Sequence, residues 1–248
     1  MKAMILAAGK GERLRPLTDT VPKPMIPVAG RPLIEYTLSF LRRHGIGEVV
    51  INLHHLGNVI EEHLGDGSRC GMKISYSHEE HLLGTGGGIK HAEPLLGKDT
   101  FVVVNSDILV DVDLGEVLRF HKDKKATATM VLRDDRDVDR YGAIEIDSQG
   151  CVRQFLGKLP FPGSRLRRLM FTGVHVLEPE IFSFMGQEQG PFSITGSTYP
   201  AMLGAGERVF GYEMKGFWID LGMWSQYKGL VERIDRGEIN LIDNLNMG

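Results

Sequence analysis

The feature that most constrains the fold is an alternation of strand-like and helix-like segments over the first 105 residues. Short apolar runs predict strands, and stretches with apolar residues at i, i+4 and i+7 predict helices. The predicted strands are 2–7, 48–53, 72–77 and 101–104, and the predicted helices are 32–44, 58–64 and 87–96. Alternation of this kind builds parallel βαβ units with right-handed crossovers. The sequence therefore predicts an α/β fold with a doubly wound, mixed but mainly parallel sheet.

Beyond about residue 125 the segments become shorter and less regular. Residues 126–132, 143–147, 152–155 and 169–177 are predicted strands, and 180–185, 198–203 and 223–236 are predicted helices. No linker rich in Ser or Pro and no internal repeat separates the two parts of the chain. We therefore expect residues 1–248 to form a single domain with two lobes, of which the second is a mixed region laid against the first sheet.

Composition excludes several classes of protein. The 29 Lys and Arg residues nearly balance the 32 Asp and Glu residues, so the formal charge is −3 and nucleic acid is not an expected partner. A hydrophobic content of 42% is typical of soluble proteins, and no apolar run approaches the ~18 residues of a membrane helix. The two cysteines, Cys70 and Cys151, match no metal or redox spacing. With no export signal, they indicate a cytoplasmic protein.

The first predicted strand leads into a glycine-rich turn followed by three cations. Gly9 and Gly11 allow a tight turn whose N–H groups point at an anion. Arg13 and Arg15 follow, and Lys23 stands between two prolines that stiffen the chain around it. In α/β sheets, ligands bind beyond the carboxyl ends of the strands, which selects the loops at 8–15, 77–88 and 105–113. The pattern predicts a polyphosphate site.

Two common phosphate-binding motifs are excluded at this loop. GxGxxG fails because its third glycine position is Leu14, and GxxxxGK[ST] fails because Gly-Lys-Ser/Thr occurs nowhere in the chain. The predicted phosphate site is therefore of a third kind.

The chain resembles the sugar-1-phosphate nucleotidylyltransferases over nearly its whole length. The resemblance rests on LAAGKGERLRPLT with PKPM, on GIGEVVIN, on GTGGG, on Asp107 after a strand, on Tyr141-Gly142 and on WIDLG at 218–222. The N-terminal half is especially similar to mannose-1-phosphate guanylyltransferases and to bacterial N-acetylmuramate-1-phosphate uridylyltransferases. The resemblance implies a Rossmann-like nucleotide-diphospho-sugar transferase fold, with a nucleotide-binding half (1–125) and a smaller sugar-phosphate-binding half (126–248).

The implied reaction transfers a nucleoside monophosphate from an NTP to a sugar 1-phosphate and releases pyrophosphate. The nucleophile would be a phosphate oxygen, which is largely ionised near pH 7 because its second pKa is ~6, so no general base is needed. The reaction requires charge neutralisation and in-line positioning instead. This requirement agrees with a sequence that shows no obvious Ser-His-Asp or Cys-His arrangement.

The resemblance also implies roles for individual residues. Arg13 and Lys23 would act on the triphosphate, and Asp107 and Asp220 would hold Mg²⁺. The implied nucleotide-binding residues are Leu6, Ala8, Gly9, Gly11, Glu79, Gly84, Thr85 and Gly86, and the implied sugar-phosphate-binding residues are Gly142, Lys158 and Gly173.

The preferred product is GDP-mannose or a related GDP-sugar, made from GTP and a sugar 1-phosphate. A carboxylate at Glu79 or Glu80 could accept hydrogen bonds from N1–H and N2–H of guanine, which favours a GDP-mannose-type product. The alternative is that both glutamates are solvated side chains of a surface loop with no role in binding. Gly157 stands where the family often has a glutamate, and Thr172 where it often has asparagine. The alternatives are UTP with N-acetylmuramate 1-phosphate, more remotely a phosphocholine cytidylyltransferase, and a catalytically silent nucleotide-sugar sensor. Monomer and dimer are both compatible with the sequence.

The histidines are expected to be structural or on the surface. His54 and His55 are adjacent, so on a strand they would point to opposite faces and could not form a paired metal site.

Overall fold

The computed structural model describes residues 1–155, 166–186 and 190–245. Its strands are β1 (Lys2–Leu6), β2 (Pro27–Val28), β3 (Arg31–Pro32), β4 (Glu48–Leu53), β5 (Lys73–His78), β6 (Phe101–Asn105), β7 (Ile108–Val110), β8 (Ala128–Arg133), β9 (Ala143–Ile146), β10 (Val152–Phe155), β11 (Arg167–Leu177), β12 (Val209–Glu213) and β13 (Trp218–Asp220). Its α-helices are α1 (Leu33–Arg43), α2 (Gly57–Leu64), α3 (Gly84–His91), α4 (Glu93–Leu96), α5 (Leu114–Asp123), α6 (Val138–Tyr141), α7 (Tyr199–Gly204), α8 (Trp224–Asp235) and α9 (Leu241–Asn244).

The chain forms two compact units, neither of which is one continuous stretch of sequence. Unit A comprises Lys2–Leu82, Val104–Val112 and Gly216–Gly248. Unit B comprises Met1, Leu83–Val103 and Asp113–Lys215. Strand β6 is divided between them after Val103.

Unit A contains the parallel strands β1, β4 and β5, with β4 in the middle. Leu6, Asn52 and Ser77 lie side by side at the carboxyl ends of the three strands. Strand β4 is buried at every position after its first residue, which explains why Asn52 is its only polar residue after Glu48. A separate antiparallel pair joins β7 to β13.

The core of unit A joins residues that are far apart in sequence. Side chains from β2, α1, β7, the residue after β13, α8 and the C-terminal segment form one buried cluster. It contains Val28, Leu33, Tyr36, Leu109, Leu221, Leu230, Ile239, Leu241 and Leu245. Burial of these apolar groups holds the C-terminal segment against the N-terminal part of unit A.

Unit B contains strands in the order β10-β9-β11-β8-β12. The neighbours are antiparallel except for β8 and β12, which are parallel. Helix α5 packs against β8, and the side chain of Asp113 caps it by accepting a hydrogen bond from the Glu116 N–H. Parallel strands in unit A and mostly antiparallel strands in unit B confirm the predicted mixed α/β fold.

Most predicted elements lie within two residues of their observed positions, and the differences have physical causes. The predicted helix 87–96 is two helices, α3 and α4, and Pro94 stands in the first turn of the second, where its missing N–H costs nothing. The predicted loop 105–113 contains the short strand β7, which has no periodic signal of its own. Strand β4 ends at Leu53, so the expectation that His54 and His55 lie on a strand is wrong. Strands β12 and β13 and helix α5 were not predicted.

Candidate active site

The loop after β1 forms a compact cradle in unit A. Gly11 adopts φ +65°, a conformation that favours glycine. A Cβ at this position would lie 2.8 Å from Thr18 Cγ2 and 3.2 Å from Lys23 Cβ, so glycine is also required by close packing. The Thr18 hydroxyl donates to the Gly11 carbonyl oxygen (2.9 Å), and the Leu14 N–H donates to the same oxygen (2.8 Å). Thr18 therefore fixes the loop, a role that the sequence did not predict.

The start of this loop is open to solvent. No heavy atom of another part of the described chain lies within 4 Å of the position that a Gly9 Cβ would take. Ala8, by contrast, is buried, and the carbonyl oxygen of Leu6 accepts a hydrogen bond from the Ser106 N–H (3.2 Å). The loop thus begins beside the residue that precedes Asp107.

The structure brings Lys23, Asp107 and Asp220 together in unit A. The Lys23 ammonium group forms an ion pair with Asp107 Oδ2, and its side chain is only 10% exposed. Asp220 pairs with Ile108 across the β7–β13 ladder, and the Leu221 N–H donates to the Asp107 carbonyl oxygen (2.8 Å). The two aspartates therefore lie on directly neighbouring segments.

Arg13 and Asp220 meet at Gly222. The Gly222 N–H donates to Asp220 Oδ1 (2.7 Å). A Cβ at Gly222 would lie 2.9 Å from Asp220 Oδ1 and 3.1 Å from Arg13 Nη2, so both charged groups converge on space that any other residue would fill. Arg15, the third predicted cation, points elsewhere and pairs with Asp19 on the surface (3.1 Å). The structure thus separates Arg13 and Lys23 from Arg15.

A second cluster of polar side chains lies at the carboxyl ends of β1, β4 and β5. Glu79 is buried, whereas Glu80 is exposed, so only the first of the two candidate acids is built into the unit. Asn52, also buried, donates from Nδ2 to Glu79 Oε1 (2.7 Å) and accepts from the Ala7 N–H (2.8 Å). The sequence did not predict a role for Asn52, because in the sequence it is only one residue within a predicted strand.

The GTGGG segment belongs to unit B, where its glycines have a packing reason. A Cβ on Gly84 would lie 2.4 Å from the Phe192 carbonyl oxygen, and a Cβ on Gly86 would lie 2.4 Å from the Phe192 ring. The Gly86 N–H donates to Phe192 O (3.0 Å), and Thr85 Oγ1 accepts from the Ile194 N–H (3.0 Å). The glycines therefore admit a neighbouring segment, a cause that is independent of any nucleobase.

Two of the three predicted sugar-side residues, Gly142 and Gly173, also lie in unit B. Gly142 ends helix α6. Gly173 adopts φ +90° at a register shift between β11 and β8, where a β-bulge requires a glycine-like conformation. Thr172 is buried and donates to the Val131 carbonyl oxygen (2.7 Å). Lys158 and Gly157 lie outside the described residues.

The donor set at Asp107 and Asp220 suits a hard cation. Within residues 1–155, 166–186 and 190–245, no three His, Cys, Asp or Glu side chains are grouped so that they could hold a metal ion. Two carboxylates on paired segments fit Mg²⁺, which binds through one or two carboxylates and completes its shell with water and substrate phosphates. The space that a Gly222 Cβ would fill lies against one of these carboxylates. Both free thiols, Cys70 and Cys151, are half-buried.

No helix in the described part of the chain is both long enough and apolar enough to cross a lipid bilayer.

Comparison with curated relatives shows similarity along most of the chain. A UTP–glucose-1-phosphate uridylyltransferase of Synechocystis is 35% identical over 94% of this chain and 64% of its own length. A mannose-1-phosphate guanylyltransferase of Mycobacterium tuberculosis is 36% identical over 89% of this chain and 60% of its own length. The chain thus spans less than two thirds of both relatives. An N-acetylmuramate α-1-phosphate uridylyltransferase of Neisseria meningitidis is 40% identical over 90% of this chain and 93% of its own length.

Solved structures show the same fold. A crystal structure assigned to a glucose-1-phosphate thymidylyltransferase of Bacillus anthracis, in complex with sucrose, superposes with a TM-score of 0.81 at 25% identity over 99% of both chains. HddC of Yersinia pseudotuberculosis superposes with a TM-score of 0.77 over 94% of this chain and 99% of its own, and at 23% identity it bears on the fold alone. The nucleotidyl transferase family model matches residues 2–235. This chain therefore belongs to the nucleotidyl transferase family.

Proposed function

We propose that the protein transfers a nucleotidyl group from an NTP to a sugar 1-phosphate, which forms an NDP-sugar and pyrophosphate. The observation that carries the proposal is the convergence of Arg13, Lys23, Asp107 and Asp220 in one unit, beside the open glycine loop. Cations at a strand's carboxyl end neutralise phosphate, and paired carboxylates recruit a divalent ion. A reaction between two phosphorylated substrates requires both, because negative charge on the phosphate oxygens must be neutralised.

The chemistry needs no protein nucleophile. An oxygen of the sugar phosphate forms a bond to the α-phosphorus of the NTP. The bond from that phosphorus to its bridging oxygen breaks, and the electron pair leaves with pyrophosphate. Arg13 and Lys23 would neutralise the charge on the departing phosphates, and backbone N–H groups after Gly9 would orient them. Lys23 is held by Asp107, so its ammonium group is already directed into the cluster.

Asp107 and Asp220 would hold Mg²⁺, which when bound withdraws charge from phosphate oxygens. The chain's own contribution is to fix these two carboxylates through the β7–β13 ladder and the hydrogen bond from the Gly222 N–H. Gly222 keeps the adjoining space clear.

For the substrates, we propose UTP and N-acetylmuramate 1-phosphate. The Neisseria relative has the highest identity of the three described, and the segment matching this chain makes up 93% of it. The guanylyl transfer to mannose 1-phosphate that the sequence favours is the second candidate, supported by the Mycobacterium relative. A cytoplasmic location and action without a membrane or nucleic-acid partner, as a monomer or dimer, complete the proposal.

Pyrophosphate release tests the proposal. UTP, GTP, CTP, ATP and dTTP are each combined with N-acetylmuramate 1-phosphate, mannose 1-phosphate, glucose 1-phosphate and phosphocholine, with and without Mg²⁺. We expect turnover with a sugar 1-phosphate, highest for UTP with N-acetylmuramate 1-phosphate and abolished by chelation. The highest rate with GTP and mannose 1-phosphate would support the second candidate. Nucleotide binding with no pyrophosphate release in any combination would identify a silent sensor and overturn the proposal.

A further inference from the structure

One buried side chain joins the ends of all three parallel strands of unit A. Asn52 is the residue of β4 that lies between Leu6 of β1 and Ser77 of β5. Its Oδ1 accepts from the Ala7 N–H (2.8 Å), at the start of the glycine loop, and its Nδ2 donates to Glu79 Oε1 (2.7 Å), directly after β5. Asn52 is 3% exposed and Glu79 is 6% exposed.

The orientation of the Asn52 amide follows from chemistry. A backbone N–H can only donate, so the side-chain oxygen of Asn52 must face Ala7. The amide nitrogen must then face Glu79, and the Glu79 oxygen that it contacts must accept. The polarity of this chain of hydrogen bonds is therefore fixed from the Ala7 N–H outward.

We propose that Asn52 is a positioning residue that sets nucleobase selectivity by holding Glu79 as a hydrogen-bond acceptor. The inference rests on the proposed function and on the contact between Glu79 and the nucleobase that the family resemblance implies. A fixed acceptor suits uracil and guanine, whose pairing edges carry N–H donors, and opposes cytosine and adenine, which present a ring nitrogen acceptor there. A site built to bond one polar pattern rejects the opposite pattern strongly.

The test reverses the polarity of the pair. In Glu79→Gln, the Asn52 donor binds the new amide oxygen and turns the new NH₂ group towards the base. We expect kcat/KM for UTP to fall roughly 10- to 100-fold, mainly through KM, and the CTP/UTP ratio to rise. In Asn52→Asp/Glu79→Gln, the new carboxylate accepts both from Ala7 and from the NH₂ group, which turns the amide oxygen back to the base. We expect UTP preference to return to within a few-fold of wild type.

Controls separate this inference from folding and from the proposed function. Asn58→Asp and Glu62→Gln make the same chemical changes at exposed positions of α2 and are expected to leave the NTP preference unchanged. The double variant keeps a partner for the Ala7 N–H and for both side chains, so its Tm is expected to stay close to that of wild type. A double variant that does not fold, or that folds and shows the same NTP preference as Glu79→Gln, would overturn the inference. Inactivity of the wild type with every NTP would count against the proposed function instead.

Discussion

At the scale of single residues, the charge arrangement of unit A is set by pairing rather than by exposure. Lys23 is nearly buried and neutralised by Asp107, whose side chain is 25% exposed. Burying an unpaired ammonium group would be costly, so the ion pair is what allows the cation to sit inside the cradle. The carboxylate that supports Lys23 is also one of the two proposed metal-binding groups, so one substitution affects both functions.

Asp107→Asn is expected to lower kcat by roughly a hundredfold or more, about 3 kcal/mol of lost stabilisation, with a smaller change in KM. The reason is that an amide cannot neutralise Lys23 or hold a divalent cation. Steady-state pyrophosphate release measures the effect, and thermal unfolding checks that the variant is folded. Asp66→Asn, at an exposed loop aspartate of the same unit, is the matched control. Near-normal turnover of Asp107→Asn would show that the carboxylate has been misassigned.

At the scale of elements, helix α3 shows why glycine-rich segments need more than one explanation. Its first turn lies against the segment around Phe192 so closely that Gly86 and Gly84 have no room for a Cβ. The Phe192 N–H donates to the Leu83 carbonyl oxygen (2.9 Å), which closes this contact. A glycine cluster that resembles a nucleotide-binding loop is thus also a helix-packing surface.

Gly86→Ala is expected to destabilise the protein by about 1–3 kcal/mol, because the added methyl group meets the Phe192 ring. Adding Phe192→Leu should recover the part of this loss that comes from the ring, while the close approach of the new methyl group to the Ile194 backbone nitrogen (3.0 Å) persists. Gly84→Ala meets backbone atoms of Phe192, so the same second substitution should not rescue it. Gly204→Ala, where nothing lies within 4 Å, is the control. Urea denaturation gives the free energies of unfolding, and equal stability of Gly86→Ala and Gly204→Ala would contradict the packing argument.

At the scale of the whole molecule, one buried histidine links stability to pH. His175 of β11 is fully buried, and Nδ1 shares a hydrogen bond with the Tyr199 hydroxyl (2.7 Å). Burial lowers the pKa of His175 from 6.5 to about 3 and raises the pKa of Tyr199. Between these two His175 values the unfolded chain binds a proton that the folded chain does not. The free energy of unfolding therefore falls as the pH is lowered through this range.

His175→Phe is expected to remove this part of the acid sensitivity. Between pH 7 and pH 5 the wild type should lose about 2 kcal/mol of stability through His175, in addition to whatever other groups contribute. The variant should lack that difference, although the Tyr199 hydroxyl loses its partner at every pH. Urea denaturation at both pH values measures the difference, with Tyr199→Phe as the control that retains the imidazole. Parallel pH profiles of the wild type and His175→Phe would contradict the assignment.

The parallel strands of unit A, most helix bounds and the glycine–cation loop could be predicted from the sequence, because periodicity and turn preference are local properties. The sequence also named Arg13 and Lys23 as candidate phosphate-binding residues, and the family resemblance added Asp107 and Asp220 as candidate metal-binding residues. Three contacts could be known only from the folded chain. The segment of Asp220 lies beside that of Asp107, Asn52 donates a hydrogen bond to Glu79, and the glycines of α3 leave room for Phe192. These contacts join segments distant in sequence, through short strands such as β7 and β13 that carry no periodic signal. Pairing between such segments depends on the packing of the whole unit, which no local pattern encodes.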